Sequence, residues 1–110
     1  MKLTYKYISL FWIFLLPFVV LAQTAPDITN PVIKLIGENI VREASNNPYK
    51  DAGATAFDNL DGNISNRIRV GGDTVYENIP GVYIIRYNVY DNAGNEAEEV
   101  IRTVTITSDI

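Results

Sequence analysis

The stretch from Pro80 to Ile106 constrains the fold more than any other part of the 110-residue chain. Pro80-Gly81 is a turn pair, and the run Val82 to Tyr90 carries an apolar residue at every second position: Tyr83, Ile85, Tyr87 and Val89. A period of two places these on one face of a half-buried strand, whereas a helix needs apolar residues three and four apart. Asp91-Asn92-Ala93-Gly94-Asn95 is rich in residues that adopt turn conformations cheaply, and Val100 to Ile106 alternates again on the way back. The segment therefore reads as an antiparallel hairpin.

The remainder follows the same habit. Strands are expected at Pro31–Ile36, Ile40–Glu43, Ala54–Phe57, Ile64–Val70 and Thr74–Tyr76, separated by Gly-, Asn- and Asp-rich turns. No window keeps apolar positions at i, i+3, i+4 and i+7 without a Gly or Pro intruding, so no helix is predicted. Seven short strands with a turn every eight to twelve residues predict an all-β sandwich of two sheets.

The first 22 residues stand apart. Lys2 and Lys6 precede an apolar run from Ile8 to Leu21, and Val20-Leu21-Ala22 supplies modest residues for cleavage. That is the layout of a secretory signal peptide cut after Ala22. An uncleaved membrane anchor is the alternative, disfavoured by Pro17 and by a run shorter than the ~20 apolar residues a span requires. Residues 23–30 read as a polar linker and 31–107 as one domain. Without Lys2 and Lys6 the mature chain has seven basic against thirteen acidic residues, a net charge of −6. Such a surface repels phosphate backbones, so nucleic acid is not an expected partner. The chain has no cysteine. It offers no thiol for a bacterial lipid anchor, and an exported domain that does without disulfides points to a bacterial source.

Two long motifs carry a resemblance. Tyr49-x-Asp51-x-Gly53-Ala54-x-Ala56-x-Asp58-x-x-Asp61-Gly62-x-Ile64 is similar to the signature of a bacterial immunoglobulin-like domain family found in surface proteins and in pesticidal crystal proteins. Pro80-Gly81-x-Tyr83-x-Ile85-x-Tyr87-x-Val89-x-Asp91-x-Ala93-Gly94-Asn95-x-Ala97 resembles its second half, and Arg102–Ile106 its last strand. The likeness spans about Pro31 to Ile106, with hyalin-type repeats as more distant relatives. It implies an immunoglobulin-like Greek-key β-sandwich of about seven strands. It also implies a spacer or binding role beside other domains, with no family-wide catalytic residue. Members are usually repeated or appended, whereas this chain carries one copy; a free-standing domain and a fragment of a larger surface protein both remain open.

Individual residues sharpen the expectations. Tyr83, just after Pro80-Gly81, is placed for a tyrosine corner, its hydroxyl folded back onto backbone. Asp58, Asp61, Asn63 and Asp91 offer the oxygen ligands that suit calcium, but they lack the twelve-residue spacing and closing Glu of a calcium loop. Their expected role is to cap turns, with calcium as the alternative and no other cofactor. Arg102 shares an alternating face with Val100, Val104 and Ile106, so it should either pair with a carboxylate, Asp91 or Glu99, or snorkel at the sheet edge. Asn63-Ile64-Ser65 matches an N-glycosylation pattern, and Asp73-Thr74-Val75 resembles an O-glycosylation site of exported bacterial proteins.

Catalysis is not expected. The chain has no histidine and no cysteine, which removes the usual general base, zinc ligands and thiol nucleophile. Ser45, Ser65 and Ser108 lack a nucleophile-elbow setting. The expected role is an exported, non-catalytic module that binds or spaces at the cell surface or in the periplasm. Its partner would be a protein or glycan of the envelope, reached through the loops Asp58–Asn63 and Asp91–Asn95. A ligand-free structural piece of a larger surface protein is one alternative. A carbohydrate-binding accessory is another, with Tyr76 and Tyr90 as the candidate aromatic pair.

Overall fold

The computed structural model describes residues 25–108. The expected signal peptide falls outside that range. The described chain forms seven strands: β1 (Val32–Leu35), β2 (Ile40–Ala44), β3 (Ala54–Asp58), β4 (Gly62–Asn63), β5 (Arg69–Gly72), β6 (Gly81–Asn88) and β7 (Val100–Thr107). They build a three-stranded sheet in the order β1-β3-β4 and a four-stranded sheet in the order β2-β7-β6-β5. This is an immunoglobulin-like sandwich.

The hairpin is its centre. β6 and β7 pair antiparallel from Gly81↔Ile106 to Tyr87↔Val100. Their inward residues Ile85, Tyr87, Val104 and Ile106 are buried, and Val89 and Ala97 continue the core past the paired region. Ile33, Ala56 and Ile64 cover them from the opposite sheet. Period-two burial on each facing strand is what closes two sheets over one apolar layer.

The chain changes sheet three times, in the Greek-key manner. β1 pairs antiparallel with β3, yet β2, only a short turn later, pairs parallel with β7. Gly37, at φ 80°, supplies the left-handed residue in that switch. The third change corrects the expectation of one strand from Ile64 to Val70. Ile64 is buried under β3, but Ser65–Arg67 is a single 3-10 turn. The Ser65 hydroxyl makes the difference: it accepts from the Ala56 N–H (2.9 Å) and donates to Asn63 Oδ1 (2.6 Å). These bonds hold the chain at one sheet before it crosses to the other, where β5 begins. Val70 ends up exposed rather than inward.

The expected strand Thr74–Tyr76 is also absent; that stretch is a loop. Gly72 ends β5 at φ 86°, where a Cβ would meet Ile84 O at 2.3 Å. Asp73 then ties the loop to β6, its Oδ2 accepting from Ile84 N–H (2.8 Å). The two-residue β4, within a stretch read as a turn, keeps the strand count at seven.

Candidate functional site

Both loops proposed for contacts lie at the same end of the sandwich. Asp61 Oδ2 accepts from the Asn92 N–H (2.6 Å) and from Arg67 Nη1 (3.2 Å), while Arg67 also donates to Asn92 Oδ1 (2.8 Å). Arg67 and Asp61 thus bolt the β3–β4 turn to the loop that follows β6.

Asp58, the last residue of β3, sits beneath this bolt and is only 1% exposed. Its Oδ2 accepts from the N–H groups of Leu60 (3.0 Å) and Asp61 (2.9 Å), which closes the turn. Asp91 plays the same part in its own loop: Oδ1 accepts from Asn95 N–H and Oδ2 from Asn95 Nδ2, both at 2.8 Å. Asn95 Nδ2 also donates to Asp27 O (2.9 Å), which draws the segment leading into β1 against this end. Asp27 Oδ1 accepts from Thr29 N–H (3.0 Å).

Asp27, Asp58 and Asp91 thereby converge, with one oxygen of each within 4.8 Å of the others. Asp58 Oδ1 and Asp27 Oδ2 are buried and accept no hydrogen bond. The crowding shows in the acidities. The Thr29 N–H pulls Asp27 down, but desolvation and the carboxylates of Asp91 and Asp58 leave it above its ordinary value. For Asp91, desolvation pushes up, but the side-chain and backbone N–H groups of Asn95 and a hydrogen bond from the Asp27 carboxyl hold it below.

Of the four residues named as calcium candidates, Asp58 and Asp91 meet and Asp61 and Asn63 do not join them. Asp61 is engaged by Arg67 and Asn92. Asn63 Oδ1 takes both the N–H and the hydroxyl of Ser65. Asp27 was missed because it lies in a polar stretch with no period. Its Asp-x-Thr turn was readable, but nothing in sequence spacing brings three acids about thirty residues apart together.

Arg102 corrects an expectation. It pairs with neither Asp91 nor Glu99, and it does not snorkel: it is 1% exposed. Glu99 serves Arg86 and Asn88 on the surface. Arg102 Nη1 instead reaches Asp51 Oδ1 at 2.5 Å and the Tyr87 hydroxyl at 2.9 Å, while Nε donates to Glu38 O (2.8 Å) and Nη2 to Ile36 O and Gly53 O. Its guanidinium also lies 5.7 Å from the Tyr87 ring centroid. Asp51 accepts in addition from the hydroxyls of Tyr49 (2.7 Å) and Tyr87. Burial pushes Asp51 up, but hydrogen bonds from Tyr87, Tyr49 and Arg102 bring it below its ordinary value. Tyr49 is pushed up to about 12, first by burial and then by Asp51. Every donor is committed inward, so this network joins the sheets.

Tyr83 forms the anticipated corner, donating to Ile79 O at 2.7 Å. Tyr76 packs edge-on to Tyr83, with centroids 6.4 Å apart. Tyr90 lies beyond the far end of β6 beside Arg69. Seven residues of extended chain, roughly 23 Å, separate Tyr83 from Tyr90, so Tyr76 and Tyr90 do not form one aromatic platform. An exposed aromatic that does border a concavity is Phe57, on the outer face of the three-stranded sheet. It pairs with Val32 and Asn63 on either side. The open hollow there, about 630 Å³, is also bordered by Asn30, Thr55 and Asn59.

Comparison with known proteins agrees with this architecture. No curated protein matches the sequence. A lipoprotein of Bacteroides thetaiotaomicron shares the fold at 22% identity and a TM-score of 0.64, over 73% of this chain and 39% of its own. A structure from Clostridium perfringens ZmpB, comprising CBM51-2 in complex with GlcNAc and INT domains, is 30% identical with a TM-score of 0.58. That match covers 73% of this chain but 17% of the other. The chain thus spans well under half the length of these relatives. The family described as bacterial surface protein, Ig-like domain, matches residues 33–106, from the second residue of β1 almost to the end of β7. With that match laid over two facing sheets and a tyrosine corner, the chain belongs to the bacterial surface protein Ig-like domain family.

Proposed function

We propose that the chain is an exported, non-catalytic module that binds or spaces at the bacterial cell surface. Its family membership across residues 33–106 carries this reading. The buried Arg102 and Tyr87 and the half-buried Asp51 are spent on joining the sheets, which suits a stiff module better than an active site. A surface test is direct. Intact producing cells, treated with an external protease, should lose a C-terminally tagged copy of the chain while a cytoplasmic marker survives. Retention of the tagged chain inside the cell would overturn the reading.

The hollow around Phe57 favours one kind of partner. An exposed aromatic ring flanked by Asn30, Asn59, Asn63 and Thr55 has the chemistry of a sugar subsite: an apolar face for stacking and amides or hydroxyls for hydrogen bonds. The GlcNAc-bound relative makes N-acetylated glycans the first ligands to try. Titration of the secreted chain with GlcNAc oligomers should detect binding that Phe57→Ala weakens roughly tenfold. Phe57 is exposed, so that substitution leaves the core intact. Binding that ignores the substitution would move the glycan reading away from this face.

A further inference from the structure

Three carboxylates from three separate parts of the chain meet at one end of the sandwich, with one oxygen of each within 4.8 Å of the others. Among the described residues none of the three makes an ion pair; Arg67, at the same end, is paired with Asp61, and Arg69 lies over the Tyr90 ring. Turn-capping accounts for one oxygen of Asp58 and one of Asp27. It leaves Asp58 Oδ1 and Asp27 Oδ2 buried without a donor, although buried polar atoms are nearly always paired. Asp58 is 1% exposed, so bulk solvent does not serve it.

We propose that Asp27, Asp58 and Asp91 together bind one calcium ion. Asp58 Oδ1 and Asp27 Oδ2 accept no hydrogen bond, each Asp91 oxygen keeps a lone pair after accepting from Asn95, and the ion would take the place of the proton that Asp27 shares with Asp91. The donor set is all oxygen, which suits a hard cation and not zinc or copper. Coordination habit selects between hard cations. Calcium takes about six to eight oxygens in flexible geometry and so accepts carboxylates already fixed by turn-capping, whereas magnesium demands a near-octahedral frame and gives up its own waters reluctantly. Water and backbone carbonyls complete the shell.

The ion would fasten residue 27 to the end of β3 and to the loop after β6. The segment that leads into the sandwich would then leave it in a fixed direction. The three aspartates are not among the side chains that line the glycan face proposed above, so the two proposals are tested by different substitutions.

The test uses the secreted chain, stripped with EDTA and melted in 10 mM calcium chloride, 10 mM magnesium chloride or EDTA. Extracellular calcium modules bind at about 10⁻⁴ M in their stronger range. A hundredfold excess should raise the melting temperature by roughly 10 °C or more in calcium, and by much less in magnesium. Asp27→Asn, which lies ahead of the sandwich and keeps the Thr29 turn, should fold with wild-type circular dichroism in EDTA and lose the calcium shift. No shift in the wild type, or an undiminished shift in Asp27→Asn, overturns the site. An equal shift in magnesium overturns the choice of calcium.

Discussion

The two ends of β3 solve the same problem in opposite ways. Before the strand, Asp51 is drawn inward and given Arg102, with Tyr49 and Tyr87 completing its hydrogen bonds. At the end of the strand, Asp58 is buried still deeper and given two further carboxylates. One end carries its own cation; the other leaves two oxygens with none. The difference separates a lock from a socket. A buried acid that the chain itself neutralises belongs to the fold, whereas a buried cluster of acids that the chain does not neutralise points outward to something bound.

The largest expected effect breaks the lock. Arg102→Leu strands the Asp51 carboxylate and the carbonyls of Ile36, Glu38 and Gly53, and Asp51→Asn leaves a buried guanidinium without its counter-charge. Each should cost about 3–5 kcal/mol, as removal of one member of a buried pair does. Urea denaturation of the two single variants and the double variant checks it. Because the partners touch, the double variant should fall short of the summed losses by more than about 1 kcal/mol. Additive losses would mean that the pair does not act as a unit.

The same lock should respond to pH at both extremes. Tyr49 is held neutral in the fold, its pKa pushed from 10 to about 12 by burial and by Asp51. Stability from that raised value is fully present below pH 10 and disappears as pH rises towards 12. Asp51 lies below its ordinary 3.8, because the hydrogen bonds from Tyr87, Tyr49 and Arg102 outweigh desolvation. Its contribution is present above that pH and fades as the medium becomes more acidic. Urea midpoints measured from pH 8 to 12 should fall for the wild type and fall less for Tyr49→Phe. Parallel curves would remove Tyr49 from the network's alkaline response.

How much of this could be read from sequence depended on how far each contact reaches along the chain. The β6–β7 hairpin was legible because its alternation is local and continuous. So was the Tyr83 corner, whose acceptor is four positions upstream. The face on which Arg102 lies followed from period two, but its partner did not: Asp51 is 51 positions away, in a loop without periodicity. Ile64, Ile68 and Val70 spell out an alternating strand, and only the Ser65 hydroxyl bonding back to Ala56 and Asn63 turns the chain aside. At the socket, Asp58 and Asp91 were recognisable by residue type within their turns. Asp27 became visible only once the segment before β1 folded against them.

The smallest effect separates lock from socket most sharply, because it should have the opposite sign. Asp58→Asn keeps an oxygen to accept from Leu60 and Asp61, and puts an N–H₂ where Oδ1 had no donor. Asp27, whose Oδ2 also accepts no hydrogen bond, is close enough for that amide to reach after a small side-chain shift, and one like charge is gone. In EDTA the variant should therefore melt roughly 4–8 °C above the wild type, the shift expected for one new hydrogen bond in a domain of this size. The isosteric change Asp51→Asn at the other end should be strongly destabilising, so the two Asp→Asn variants should bracket the wild type. Calcium should reverse the order at the socket. The wild type gains a ligand-linked shift that Asp58→Asn has lost, and the two melting curves exchange places. If Asp58→Asn melts below the wild type in EDTA, the buried carboxylate already has a partner, and the contrast between the two ends of β3 fails.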